Sequence, residues 1–447
     1  MPKFFETRTG HIDHLTKDGA GRIVEEGRRP IDVLGTIPGE DVSFQVVRKV
    51  KGACIGKLIS VEKPSPNRVK QLCPYAGRCG GCKAQHVDYQ AQLQYKHERL
   101  IADFTNTDIL APNHLEPATD IFYYRNRMDY VFGLEGQLGL REAGKWWAPL
   151  NITECHLLSK ETPTILEIVR TLAKESGLPY WKSKGNIGFF RYLVIREGKN
   201  TGERLIMLLT SKPTEEEKPL WEKLQKDLVD QLNPFATSII WGIRESETDT
   251  SFAEEMIPLH GQPFINEIAG GINYQVSPNA FFQTNTKMAE KLQTAVLKNI
   301  TDLEDKKILD LYCGSGFFTL PLAQKAKQVT GIELVEEAIT TAKINAKKNN
   351  VSADFFVSKA EDYDWQHLTP DVVIVDPPRG GLHPKVIKTL LAAEPKEIIY
   401  VSCNYRSLLS ELEYLKEKYE VVKTEAFDLF PHTPHVEVVV KFVLKGV

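Results

Sequence analysis

From about Lys306 onward, five apolar runs of strand length, KKILDLY, QVTGIEL, ADFFVS, PDVVIVD and KEIIYVSC, alternate with segments of helical composition. This alternation constrains the fold more than any other feature of the chain. Strands of like direction need long crossovers, and a parallel sheet needs helices on its faces. An open sheet of this kind takes ligands beyond the carboxyl ends of its strands. The chemically suggestive residues of this half fall at such ends: Gly314 and Gly316 after the first run, Glu333 after the second, Asp376 after the fourth and Cys403 after the fifth.

Upstream the pattern differs. Up to about Glu62, the runs GHIDHL, GAGRIVEEG, RPIDVLGTIPGEDVSFQVVRKV and ACIGKLISVE place Val, Ile and Phe between Gly and Pro breaks. That favours a small closed β-barrel, an architecture that often binds oligonucleotides. EKPSPNRVKQ then reads as a linker, and VDYQAQLQYKHERLIADF, free of Gly and Pro, as a helix. From about Thr119 to Gly261, strand-like runs such as GFFRYLVIREG and ERLIMLLTS are joined by Gly and Asn turns, which suggests an antiparallel α+β module. The expected organisation is multidomain: an N-terminal barrel over residues 1–62, a central module over 63–265 and a C-terminal Rossmann-like α/β domain over 266–447. A length of 447 residues accommodates three such units.

Composition excludes the alternatives to a globular protein. With 42% hydrophobic and 26% charged residues and no run of 18 apolar residues, the chain is neither disordered nor membrane-spanning, and its start lacks an apolar signal core. A reducing cytoplasm is the expected compartment. The net charge of −3 is too mild to argue for nucleic-acid binding, but residues 1–71 hold 13 Lys and Arg against 9 Asp and Glu. Arg48, Lys49, Lys51, Lys57, Lys63, Arg68 and Lys70 are opposed within their stretch by Glu62 alone, a composition suited to tracking phosphates. The sequence Tyr123-Tyr124-Arg125-Asn126-Arg127 interleaves aromatic and basic side chains, suiting base stacking or core packing alike, and Phe281 is the better candidate for stacking on a base.

The loop Leu311-Tyr312-Cys313-Gly314-Ser315-Gly316 lets the backbone turn sharply at the first strand end. A dinucleotide site would normally add a third glycine, which is not supplied, and the form D-x-x-C-G-x-G with Asp310 and Glu333 better resembles the S-adenosylmethionine pocket of Rossmann-like methyltransferases. An isolated cysteine usually fills a core. Cys403 is not isolated in sequence: FFQTN, LDLYCGSG, DPPRGG, VSCN and FPHTPHVE occur in that order, and with them the chain strongly resembles the 5-methyluridine RNA methyltransferases. The resemblance implies Cys403 as nucleophile, Glu437 as general base, and Gln283, Tyr312, Glu333 and Asp376 as contacts to S-adenosylmethionine. It also departs at Phe317, where bacterial relatives frequently carry an Asn counted as a donor contact.

Uracil carbon 5 is a poor nucleophile, so a thiolate added at carbon 6 is needed to make it electron-rich, and a base must later remove the carbon-5 proton. An ordinary thiol ionises near pH 8.5, so Cys403 needs help to react at neutral pH, and Arg379 is the nearest cation by motif. Cys73, Cys79 and Cys82 lie in a Gly-rich loop, with Cys155 the best remaining fourth ligand. Four cysteines alone admit zinc or an iron-sulfur cluster. The resemblance implies a [4Fe-4S] cluster on Cys73, Cys79, Cys82 and Cys155, and it likens the N-terminal barrel to the OB-like TRAM domain, an RNA-binding module. His86 and His156 are then left as core or solvated histidines.

The expected activity is methyl transfer to a specific uridine of RNA, with 23S ribosomal RNA favoured over the T-loop of transfer RNA. A non-catalytic RNA-binding or ribosome-assembly protein is the alternative in a different class. No membrane and no obligate protein partner are implied.

Overall fold

The computed structural model describes residues 6–446 except 106 and 108. At the N-terminus, β1 (Thr7–His11), β2 (His14–Leu15), β3 (Gly21–Ile23), β4 (Ile31–Val33), β5 (Asp41–Val50) and β6 (Ala53–Lys63) form one sheet in the order β1-β5-β6-β4-β3-β2. Alternation in β5 turns Val42, Phe44 and Val46 inward onto Ile12, Ile23, Ile31, Val33 and Cys54, which gives the sheet its own core. β1 and β2 end the strand order, and no ladder joins them among the described residues. The expected barrel is thus matched in strand content and not in closure. The segment expected as a linker is docked: Arg68 forks onto buried Glu40 through bonds of 2.6 and 2.7 Å, and the Ser65 amide donates to the same carboxylate.

Next come α1 (Tyr89–Thr105), β7 (Leu115–Glu116), β8 (Arg127–Phe132), β9 (Leu138–Gly139), the hairpin β10 (Arg141–Glu142) and β11 (Lys145–Pro149), α2 (Thr162–Glu175), β12 (Phe190–Glu197), β13 (Arg204–Thr210), α3 (Lys218–Leu232), β14 (Ser238–Ile243) and β15 (Glu255–His260). The central sheet runs β15-β14-β13-β12-β8-β9. It is antiparallel except between β13 and β14, whose parallel pairing follows from the helical crossover α3. One face is covered by α2 and α3 through Ile165, Leu166, Val169, Trp221 and Leu224. The other packs Val194, Met207 and Ile240 into the same core as Ile265, Tyr274 and Met288 of the following domain. Every residue of β12 is buried because both faces are covered.

The C-terminal domain contains β16 (Ile265–Ala269), β17 (Ile272–Val276), α4 (Thr286–Asn299), β18 (Lys307–Leu311), α5 (Thr319–Ala323), β19 (Gln328–Glu333), α6 (Glu336–Lys348), β20 (Asp354–Val357), β21 (Val372–Val375), α7 (Pro384–Ala393), β22 (Glu397–Ser402), α8 (Tyr405–Leu415), β23 (Tyr419–Phe427) and β24 (Glu437–Leu444). Its sheet order is β20-β19-β18-β21-β22-β24-β23-β7. The first five strands are mutually parallel, as the alternating text predicts, and β24 inserts antiparallel between β22 and β23. The chain winds from β18 to β19 in one direction and returns to β21 on the other side, so the strand order reverses beside β18 and opens a crevice there. Leu100 and Phe104 of α1 and Leu115 of β7 share a core with Leu309, Val373 and Ile398, so α1 covers this sheet although it precedes the central one in sequence. Among the described residues no helix is long and apolar enough to cross a membrane.

Candidate active site

The crevice is built from the loop after β18. Tyr312 is left-handed at φ 66°, and the Tyr312 and Cys313 amides both donate to the Ile332 carbonyl, which ties this loop to the end of β19. Gly316 has φ 88°, and a Cβ there would stand 3.0 Å from Leu320, so the helix approaches only because the side chain is missing. At the end of β19 the Glu333 carboxylate accepts from the Gly314 amide at 3.2 Å and the Val335 amide at 3.0 Å, which holds it over the crevice. Asp310 is fully buried under the loop. One oxygen accepts from Thr319, the other has no partner in the protein, and burial pushes its carboxyl up to about 7.

Gln283 reaches the same crevice from the segment before α4, its amide nitrogen 3.5 Å from Asp376 at the end of β21. That segment is fixed by Asn285, whose side chain accepts from the Met288 amide and donates to the Leu429 carbonyl. Gln283 is thus brought beside Asp376 and Tyr312 beside Glu333, from four chain segments at the carboxyl end of the parallel strands. Phe317 is buried against Tyr274, Phe282 and Phe318, and its carbonyl takes bonds from Tyr274 and Gln293. It packs the helix start and offers no polar side-chain contact.

Cys403 follows β22 and Glu437 opens β24. The antiparallel register that pairs Ser402 with Val438 brings the two residues side by side. Burial, then the charges of Glu437 and Asp376, raise the Cys403 thiol to about 11. Burial and Asp376 raise Glu437 to about 8, and burial and Asp310 raise Asp376 to about 7. The positive charge of Arg379 acts against this at both Cys403 and Glu437. Arg379 is itself placed by its carbonyl, which accepts from Asn404 and Ser407, and its guanidinium stands 3.5 Å from the His435 ring. The pair is thus mostly protonated in the free protein, with one cation aimed at lowering both.

Among the aromatic candidates, Phe281 is 71% exposed beside Gln283. Tyr124 is buried with its hydroxyl on the Pro431 carbonyl and presents no stacking face, while Tyr123 is half-buried with its hydroxyl on His156. Sequence reasoning passed over Gln92 and Lys96, which hold the loop leading into Glu437. A signal was present: positions 92, 96, 100 and 104 recur every four residues on the buried face of α1, and the first two are polar.

The four expected ligand cysteines gather at one place. Each of the pairs among Cys73, Cys79, Cys82 and Cys155 is close enough for one thiolate to oppose ionisation of the other. Burial first, and then these charges, push Cys79 up to about 11 and Cys82 up to about 12. Such thiols ionise only against positive charge. Among the described residues no group of three or more His, Cys, Asp or Glu side chains is arranged to hold a metal ion, these four thiols included. Of the basic stretch, Arg48, Lys49, Lys51, Lys57, Lys63 and Lys70 are exposed, while Arg68 is consumed by Glu40. A separate cavity of about 340 Å³ lies between the N-terminal sheet, α1 and Thr433–Pro434, and its walls exclude Cys403, Glu437 and Asp376.

The family model for tRNA (Uracil-5-)-methyltransferase matches residues 199–445. The tRNA (uracil(54)-C(5))-methyltransferase of Pyrococcus horikoshii is 37% identical over 97% of this chain and 100% of its own length. An RNA methyltransferase of Nanoarchaeum equitans is 38% identical over 92% of this chain and 88% of its own. Among solved structures, the tRNA (uracil-54, C5)-methyltransferase of Pyrococcus abyssi in complex with S-adenosyl-L-homocysteine superposes with a TM-score of 0.81 at 33% identity, covering 97% of this chain and 99% of that one.

Proposed function

The chain belongs to the tRNA (uracil-5-)-methyltransferase family, whose members are S-adenosylmethionine-dependent RNA uracil-C5 methyltransferases, and from that premise we propose that it methylates a T-loop uridine of transfer RNA at position 54. The preference for 23S ribosomal RNA expected from sequence gives way, because relatives matched along 97% of this chain carry a transfer-RNA substrate in their names. The adjacency of Cys403 and Glu437 at the ends of β22 and β24 carries the catalytic reading.

In that reading S-adenosylmethionine binds the crevice, with Glu333 at the end of β19 placed for its ribose hydroxyls and Gln283, Tyr312 and Asp376 around the rest. A uridine unstacked from its loop enters between Phe281 and Cys403. The Cys403 thiolate adds to carbon 6, forming the C–S bond and an enolate. Carbon 5 then takes the sulfonium methyl as the S–CH3 bond breaks, and S-adenosylhomocysteine leaves. Glu437 removes the carbon-5 proton, the carbon 5–carbon 6 double bond reforms, and the thiolate is expelled. Arg379 supplies the positive charge that favours both ionised forms. Cys403→Ala is expected to abolish methyl transfer while RNA still binds, and Glu437→Gln to accumulate a gel-stable protein–RNA adduct. Wild-type methylation by Cys403→Ala would defeat the scheme.

The same proposal assigns a [4Fe-4S] cluster to Cys73, Cys79, Cys82 and Cys155, supported by their all-thiol convergence. Its positive iron would supply what these raised thiols need in order to ionise. Iron and sulfide analysis with a visible absorption spectrum of anaerobically purified protein tests this; a colourless protein without iron contradicts it. The N-terminal sheet is assigned a TRAM-like role, with the exposed lysines of β5 and β6 along the RNA backbone.

A further inference from the structure

The segment Leu429–Pro434, which leads into Glu437, closes on itself through Thr433, whose amide and hydroxyl donate to the Phe430 carbonyl, and is otherwise held from outside. Leu429's carbonyl accepts from Asn285, Phe430's from Lys96, Pro431's from Tyr124, and Pro434's from Arg99. His432 is the centre. Its carbonyl accepts from the Lys83 and Ala84 amides at 2.8 and 3.0 Å, at the exit of the cysteine loop. Its backbone is left-handed at φ 64°, an unfavourable setting for a residue with a Cβ that only surrounding contacts can hold.

Gln92 of α1 supplies the contacts that fix it. The side-chain carbonyl accepts from the His432 amide at 3.0 Å, and the side-chain NH2 faces His432 Nδ1 at 3.1 Å and donates to the Val87 carbonyl at 2.8 Å. Gln92 is buried, and the Phe122 ring lies against the imidazole with ring centroids 4.6 Å apart. Burial and the charge of Lys96 keep His432 down at about 4, so the ring is neutral and its Nδ1 accepts from the Gln92 amide.

We propose that Gln92 is a positioning residue for Glu437. By locking His432 in its strained turn it fixes the segment that aims the carboxylate at carbon 5. Glu437 is vulnerable to release because its pair with Phe427 is the last of the β23–β24 ladder, and the loop begins immediately beyond. Cys403 is anchored elsewhere, through β22 and the Asn404 bond to the Arg379 carbonyl. Releasing the loop therefore separates the two halves of the reaction. Thiol addition and methyl transfer continue, while proton removal and elimination slow.

The inference rests on the roles proposed for Cys403 and Glu437, and the experiment keeps the two apart. Full-length Gln92→Met, wild type, Glu437→Gln and Cys403→Ala are each incubated with uridine-containing T-loop RNA and S-adenosylmethionine, and adduct is measured on denaturing gels beside kcat and KM. Gln92→Met is expected to lose on the order of tenfold to a hundredfold in kcat, keep its KM for the donor, and accumulate adduct toward the level of Glu437→Gln. Adduct at the wild-type level overturns the inference whatever happens to kcat. If Glu437→Gln holds no adduct, the underlying chemistry fails and the clamp fails with it; if only Gln92→Met holds none, the clamp alone fails. Should Gln92→Met not fold, His432→Asn takes its place, since Asn tolerates the left-handed turn and keeps the backbone bond. It is expected to accumulate adduct to a smaller extent, and a wild-type level there is equally decisive against the clamp.

Discussion

Glu437, Asp376 and Cys403 stand where burial opposes the charge that their chemistry requires, and this conflict has a measurable consequence for stability. The Glu437 carboxyl is raised to about 8, so the folded protein holds a proton there that the unfolded chain releases near its ordinary value. The folded state therefore loses stability as pH rises through that window, and a neutral replacement does not. Glu437→Gln is expected to match wild type in urea denaturation below about pH 4.5 and to exceed it by a few kcal/mol above about pH 8. Equal midpoints at pH 8.5 would show that folding does not raise this carboxyl. Asp376 and Cys403 were legible in sequence at the ends of strand-like runs, and Glu437 through the resemblance that FPHTPHVE carries. What burial does to them was not, since the nearness of Asp376 to both depends on two strands that are remote in sequence. Tyr124 shows the converse: interleaving with Arg suited stacking or core packing alike, and only the fold shows it buried.

α1 illustrates how an element can be read correctly and still hide its purpose. Its lack of Gly and Pro marks a helix, and Leu100 and Phe104 mark its buried face. The polar residues on that face gain meaning only from the segment that follows β23, more than three hundred residues away. Lys96 meets Asp428 at 2.6 Å with both side chains almost wholly buried, and Tyr89 donates to the second oxygen of the same carboxylate. Removing one partner leaves the other as an uncompensated buried charge, so Lys96→Met is expected to cost about 3–5 kcal/mol in chemical denaturation. Lys96→Met combined with Asp428→Leu is expected to recover part of that loss. A single variant as stable as wild type would contradict this account of the α1 anchor. The barrel expected at the N-terminus and the linker after it were read from strand and Pro content, which report neither ladder closure nor the Arg68–Glu40 fork that docks the segment.

Of the three large sheets, the central and C-terminal ones share a core and the N-terminal one has its own, and each brings one part of the proposed reaction. The C-terminal sheet supplies the crevice, the central sheet backs its Gln283 segment, and the N-terminal sheet offers exposed lysines. If those lysines follow the RNA backbone, Lys49→Ala, Lys51→Ala and Lys57→Ala together should weaken RNA binding and lower the slope of log affinity against log salt by about 2, with donor binding unaffected. An unchanged slope would place the RNA elsewhere. The central claim is that a sulfur–carbon bond to the pyrimidine precedes methyl transfer. Its most direct test is mass spectrometry of peptides from Glu437→Gln trapped with uridine RNA and isotopically labelled S-adenosylmethionine. The account predicts a labelled, methylated nucleotide attached to the peptide carrying Cys403. Efficient formation of free labelled 5-methyluridine by Cys403→Ala, with no nucleotide on that peptide in Glu437→Gln, would contradict it.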